Sequence, residues 1–238
     1  MLAAGRSHGC AKAMALADPT VFVIDANPSA MAPLAELLAS VSLNAMHFTT
    51  VSQCLRSIHP GTCGCLLADT ATPEALGLVL SGRMARIDLR LPVIYLSDDD
   101  DVSTAAAAMK AGAADYFRRP VADQQLLDAV QRAVLASRRD IDYRAQRSAV
   151  WQRFSGLTPR EWDVLPLVVR GCSSREIGQR LEVSEKTVEV HRRRIFAKIG
   201  VASAAELVRL AIAVDLLADL ENSRNSRFRI RSAPVIAR

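Results

Sequence analysis

"LLADTATPEALG", residues 66–77, holds an aspartate at the end of an apolar run and a glycine eight positions later. A short run with no polar alternation reads as a strand covered on both faces, which sets Asp69 at the carboxyl end of that strand. In isolation Asp69 is either an ordinary turn residue, because aspartate is favoured at such ends, or a chemical acceptor. The rest of the chain decides between them.

Runs of the same kind recur in order as "VFVI" (21–24), "AMHF" (45–48), "CLLA" (65–68), "VIYL" (93–96) and "YF" (116–117). Stretches of helical character lie between and after them, at 29–40, 51–58, 74–86, 102–111 and from 122 onward. Five βα units predict an α/β, doubly wound, five-stranded parallel sheet with helices on both faces. In such a sheet, functional groups collect beyond the carboxyl ends of the strands. That rule selects Asp25 after the first run, Asp69 after the third, Ser97 after the fourth, and Arg118, Arg119 and Pro120 after the fifth. Two carboxylates, a hydroxyl and a guanidinium on one rim suit a phosphoryl group and a divalent cation.

With these residues in place, 20–137 resembles the flavodoxin-like receiver domain of bacterial response regulators. The resemblance implies that Asp25 is the first acid of an acidic pair and Asp69 the phosphoacceptor, with Pro73 and Gly77 in the loop that follows. It makes Ser97 the hydroxyl that ligates the phosphoryl group and Tyr116 the switch aromatic, and "AMKAGAADYF" (108–117) is close to the family's wording. Two positions depart from the pattern. Ala26 stands where the family has its second acid, and Arg119 stands where it has an invariant lysine. A hard divalent cation needs several oxygen ligands, so the Mg2+ that the resemblance implies, held by Asp25 and Asp69, is expected to bind weakly. Arginine keeps the positive charge of lysine but exchanges a compact ammonium for a wide planar fork. A standing pair between Arg119 and Asp69 is therefore expected.

Two smaller features sit near this rim. "SDDDD" (97–101) reads as a solvated loop with Asp101 or Ser103 capping the next helix, or else as a source of a substitute metal ligand. "CGC" (63–65) reads as small buried residues rather than a redox pair. Five cysteines, an odd number, argue against a disulfide framework and for a reducing compartment. Residues 1–19 read as a flexible leader without the pattern of a secretory signal, and the charges that punctuate every apolar run leave no membrane span. A cytoplasmic protein is expected.

Charge divides the chain. Residues 1–137 carry 10 Lys and Arg against 13 Asp and Glu, net −3, whereas 138–238 carry 20 against 12, net +8. A polyanion is therefore the expected partner of the second half alone. From Leu126 to Arg153 no glycine or proline interrupts the sequence, so the last receiver helix is expected to run on into a helical linker, 138–153.

Beyond it, helix starts are marked by "TPRE" (158–161), "SSRE" (173–176) and "SAAE" (203–206), each a capping box. Gly171 and Gly200 mark helix ends. Four helices are expected, near 159–170, 174–181, 185–199 and 204–218, with a kink at Pro166. In the third, Val188, Ile195 and Ile199 share a face that would pack on Ile177, Leu181 and Val183, while Lys186, Glu189, Arg192, Arg193 and Lys198 lie opposite. A capped helix with one apolar and one basic face fits the major groove of DNA.

Residues 154–216 closely resemble the LuxR-type helix-turn-helix that follows receivers of the FixJ and NarL sort, through "GLTPRE", "SSREIGQRLEVSEKTVEVHRRRIFAKIGV" and "AAELVRLA". This implies a small all-α domain, 154–220, in which Glu189, Val190 and Arg193 read bases. Lys186, Thr187, His191, Arg194 and Lys198 would then hold phosphates or the helix position. The side chains agree: arginine can take guanine, glutamate can accept from cytosine, and valine can touch a thymine methyl. Residues 221–238 are arginine-rich and read as a basic disordered tail.

The expectation is thus a DNA-binding transcriptional response regulator, dimeric on a two-fold operator, switched by phosphorylation of Asp69. Its alternative is a phosphorylation-independent regulator in which Ala26 and Arg119 abolish the metal-dependent switch. A sensor histidine kinase and RNA polymerase are candidate partners. An enzyme using Asp69 as a nucleophile is the rival class, and it would leave a basic helix-turn-helix idle.

Overall fold

The computed structural model describes residues 18–59 and 61–216, and the chain divides into two compact units between Ile141 and Asp142. The basic tail, 221–238, and nearly all of the leader lie outside the described residues, as do 217–218 of the last expected helix, which already ends at Ala213 ahead of a left-handed Asp215.

In the first unit the strands are β1 (Thr20–Ile24), β2 (Asn44–Phe48), β3 (Gly64–Asp69), β4 (Val93–Ser97) and β5 (Asp115–Arg118). The helices are α1 (Met31–Ala39), α2 (Val51–Ser57), α3 (Gly77–Arg86), α4 (Val102–Lys110) and the start of α5 (Asp123–Phe154). The sheet order is β2-β1-β3-β4-β5 and every pairing is parallel. From β1 the chain goes outward to β2 and then crosses to β3 on the other side. The carboxyl ends of β1 and β3 thus flank a topological switch point, the place where such sheets bind their ligands.

Side chains alternate across the strands, which makes two cores. Phe22, Ile24, Leu66, Ala68 and Tyr95 face one with Val51, Leu80, Met84 and Ala108, while Val21, Val23, Cys65, Leu67, Ile94 and Leu96 face the other with Leu38, Leu126, Val130 and Val134. Cys63 and Cys65 are both buried in this second core, and burial pushes the Cys65 thiol up to about 12. A thiol held protonated there is inert packing.

One expected helix begins late. The segment read as helical from 74 starts only at Gly77, because Glu74 adopts a left-handed conformation and residues 69–75 fold through the turns Thr72 N–H to Asp69 O and Ala75 N–H to Thr72 O. Asp101, the candidate cap in the acidic loop, does cap α4 by accepting from the Ser103 N–H.

The second unit contains the end of α5, then α6 (Pro159–Val169), α7 (Ser174–Leu181), α8 (Glu185–Ile199) and α9 (Ala204–Ala213). The segment expected as a linker is the later part of α5, whose Val150, Trp151 and Phe154 join the core of the second unit. Complete capping boxes start α6 and α7. At α9 the reciprocal bond is shifted: Ser203 accepts from Glu206 N–H, but the Glu206 carboxylate reaches the Ala202 N–H rather than that of Ser203. α6 runs unbroken through Pro166, which withholds the N–H that would otherwise reach the Trp162 carbonyl.

Gly64 opens β3 under close constraint. A Cβ there would stand 1.9 Å from the Thr20 carbonyl oxygen, and its N–H donates to the buried Ser137 Oγ of α5 at 3.2 Å. Gly64→Ala must therefore push β1 and β3 apart. It is expected to destabilise the first unit by about 1–3 kcal/mol, the usual cost of forced overpacking, seen as a lower denaturant midpoint by circular dichroism. An unchanged midpoint would contradict this close packing.

Candidate functional site

The rim at the switch point is assembled from four strand ends. Asp25 follows β1, Asp69 closes β3, Ser97 closes β4 and Arg119 follows β5. Arg119 bridges the two carboxylates: Nη1 donates to Asp69 Oδ1 at 3.0 Å and Nη2 to Asp25 Oδ2 at 3.0 Å. Asp98 Oδ2 lies 3.7 Å from the same Nη1. The side chains of Asp25 and Asp69 are 5% and 9% exposed and that of Arg119 27%, so both pairs are held largely away from water. The remaining polar groups have local tasks. Asp25 Oδ1 accepts from Asn27 N–H at 2.8 Å, Ser97 Oγ accepts from Asp99 N–H at 3.1 Å, and Thr72 Oγ1 accepts from Ala26 N–H at 3.2 Å. Arg118 pairs with Asp100 at 2.9 Å rather than with Asp25 or Asp69.

Tyr116 lies deeper, half-buried beside Tyr95 with ring centroids 6.4 Å apart. Its hydroxyl oxygen is buried without a hydrogen-bond partner, whereas the Tyr95 hydroxyl accepts from Gly77 N–H at 3.0 Å.

The donor set does not suit a resident divalent cation. Magnesium requires near-octahedral oxygen ligation at about 2.1 Å, yet one oxygen of each carboxylate is spent on the guanidinium and a methyl group stands at position 26. Among the described residues, no group of three or more His, Cys, Asp or Glu is arranged to hold a metal ion.

In the second unit α8 carries its candidate residues in four distinct settings. Lys186, Glu189, Val190 and Arg193 recur at helical spacing and are exposed, with Arg194 beside them. Thr187 is exposed but engaged at the helix start, where its N–H donates to Ser184 Oγ and its hydroxyl pairs with the same atom. His191 is half-buried and its Nδ1 is enclosed without a partner. Lys198 is not a free cation: its ammonium lies 2.7 Å from the Glu161 carboxylate at the start of α6. Arg192, expected on the open face, instead donates to the Cys172 carbonyl at 3.2 Å. Val188, Ile195 and Ile199 are buried against Ile177, Leu181 and Val183, as the sequence pattern requires.

The comparisons with known proteins match both units. The model of the response regulator receiver domain matches residues 21–131, and that of the bacterial regulatory proteins of the luxR family matches 155–211. The response regulator protein TodT of Pseudomonas putida is 30% identical over 190 residues, covering 80% of this chain and 84% of that protein. The transcriptional regulatory protein TdiR of Thauera aromatica is 36% identical over 189 residues, 79% of this chain and 83% of that one. Among solved structures, the response regulator StyR superposes with a TM-score of 0.68 at 34% identity, covering 82% of this chain and 98% of that one. The chain belongs to the two-component response regulators that join a receiver domain to a LuxR-type helix-turn-helix, a family of transcription factors rather than enzymes. No helix among the described residues is long and apolar enough to cross a membrane.

Glu161 was not among the sequence candidates beyond its capping box. Its burial raises the carboxyl pKa, but the Lys198 hydrogen bond and the Thr158 backbone and side chain outweigh this and hold it below its ordinary 4.5. A lowered folded pKa contributes stability that is fully present above that ordinary value and is lost as pH falls through the folded one. The chain's two tryptophans, Trp151 and Trp162, both pack on the core of the second unit and report its unfolding. Glu161→Gln is expected to cost about 2 kcal/mol at neutral pH, the scale of a charge-assisted hydrogen bond. By tryptophan fluorescence that gap should hold down to about pH 5 and narrow on further acidification. A pH-independent gap would contradict the assignment.

Proposed function

We propose that this response regulator binds DNA through α8 and that its receiver acts independently of magnesium and of phosphorylation at Asp69. The observation that carries the proposal is the Arg119 guanidinium held 3.0 Å from both Asp25 and Asp69. A phosphodonor would have to reach a carboxylate already neutralised by a fixed cation, without the metal that would offset the incoming phosphoryl charge. The receiver then serves as a dimerisation and partner-sensing module, and the signal is a protein contact rather than transfer from a sensor histidine kinase.

On DNA, a homodimer would place two copies of α8 in successive major grooves of a two-fold operator. Glu189, Val190 and Arg193 form the base-reading stripe, and Lys186 and Arg194 provide the phosphate-directed charge. His191, Thr187 and Lys198 support the pose of the helix. RNA polymerase is the downstream partner in this reading.

The test compares the full native chain with the double variant Ala26→Asp, Arg119→Lys. Dimerisation and retention of a duplex selected from a random pool are measured with and without magnesium and acetyl phosphate. The native protein is expected to be indifferent to the phosphodonor, while the double variant, with its acidic pair and compact ammonium restored, becomes responsive. A native protein whose dimerisation or DNA affinity rises with the phosphodonor would reinstate Asp69 as a working acceptor and a kinase as its source.

A further inference from the structure

Arg153, in the last turn of α5, reaches the far end of the DNA-reading helix. Its Nε donates to the Ile199 carbonyl at 2.7 Å and its Nη2 to the Gly200 carbonyl at 2.8 Å. Ile199 is the last residue of α8 and Gly200 its left-handed cap. Carbonyls at such an end lack intrahelical partners, and they form the negative pole of the helix. A planar fork that takes both is a closer match than a point charge. The fit is tight: a Cβ on Gly200 would lie 3.3 Å from Arg153 Nη2.

The base from which Arg153 reaches is itself fixed. Phe154 is fully buried, and Trp151 packs on Phe154 and Trp162 with ring centroids 6.0 and 6.4 Å away. A second tie, Lys198 to Glu161, secures the same final turn of α8. The exposed stripe formed by Lys186, Glu189, Val190 and Arg193 lies toward the other end. At about 1.5 Å per residue the 15-residue α8 is a lever of roughly 22 Å, so a small change of angle at its anchored end displaces the reading side chains by a large fraction of a base-pair step.

We infer that Arg153 is a positioning residue for DNA recognition, setting the pose of α8 through two backbone carbonyls without contacting DNA. The inference rests on α8 being the reading helix. Helix α5 also packs Leu126, Val130 and Val134 into the receiver core, and Arg153 lies in its last turn.

The test uses the full chain as native protein, Arg153→Ala and Arg153→Lys. The probes are a duplex that the native protein enriches from a random pool and an unrelated duplex of the same length, each titrated across a salt series. Arg153→Ala is expected to weaken binding to the enriched duplex by about tenfold and to leave the unrelated duplex nearly unchanged. The slope of log affinity against log salt should match the native slope, because no phosphate contact is lost. Arg153→Lys, which keeps the charge but not the fork, should recover part of the loss.

Equal weakening on both duplexes with a slope reduced by about one counterion would make Arg153 a phosphate contact and overturn the inference. So would native affinity in Arg153→Ala. Should that variant fail to fold by circular dichroism, Arg153→Lys decides: weaker selective binding at an unchanged slope supports the role, and fully native binding overturns it. A native protein that enriches no sequence would instead overturn the reading of α8, and this inference with it.

Discussion

The fork of Arg119 across Asp25 and Asp69 is the interaction around which the receiver rim is organised. Parallel strands bring their carboxyl ends together at the switch point, so two carboxylates arrive there side by side and largely dehydrated. Like charges so placed repel, and a buried charge left unpaired is costly, about 3–5 kcal/mol when one partner of a buried pair is removed. A site of this kind needs a cation. In the receiver pattern that the sequence resembles, a third carboxylate makes room for a mobile one. Here Ala26 removes that ligand, and at position 119 the planar fork of arginine, in place of the pattern's compact ammonium, takes both remaining carboxylates at once. The compensation is built into the chain and cannot diffuse away.

The second unit shows how α8, the proposed reading helix, is held by polar contacts at its edges while its apolar face is buried. Val188, Ile195 and Ile199 supply the burial. Ser184 caps the start, and Arg153 and Gly200 close the end. Arg192 and Lys198, which lie toward the solvent on a helical projection, bend back to a carbonyl and a carboxylate. The candidates that remain open, Lys186, Glu189, Val190, Arg193 and Arg194, give one acid, one small apolar residue and three cations, a mixed surface suited to base edges as well as phosphates.

The sheet was legible because strands buried on both faces need uninterrupted apolar runs, and the ends of those runs located Asp25, Asp69, Ser97 and Arg119 directly. The pair between Arg119 and Asp69 followed from charge and proximity. That the same fork also takes Asp25 depends on the width of the guanidinium and on the strand spacing, which no local pattern records. The late start of α3 was hidden because Glu74, Ala75 and Leu76 have adequate helical character, and only the turn closing on Asp69 overrides it. Periodicity placed Arg192 and Lys198 on the outer side of α8, but it cannot tell whether a long side chain extends or folds back along its stem. Arg153 left no local signal, since its partners are 46 and 47 residues away.

The central proposal, that the Arg119 fork spans both carboxylates and closes Asp69 to phosphoryl transfer, is tested most directly by intact mass. The purified native chain and its Asp69→Ala variant are incubated with magnesium and acetyl phosphate and weighed. The account predicts the same unmodified mass pattern for both. A phosphoryl adduct on the native chain that is missing from Asp69→Ala would contradict it.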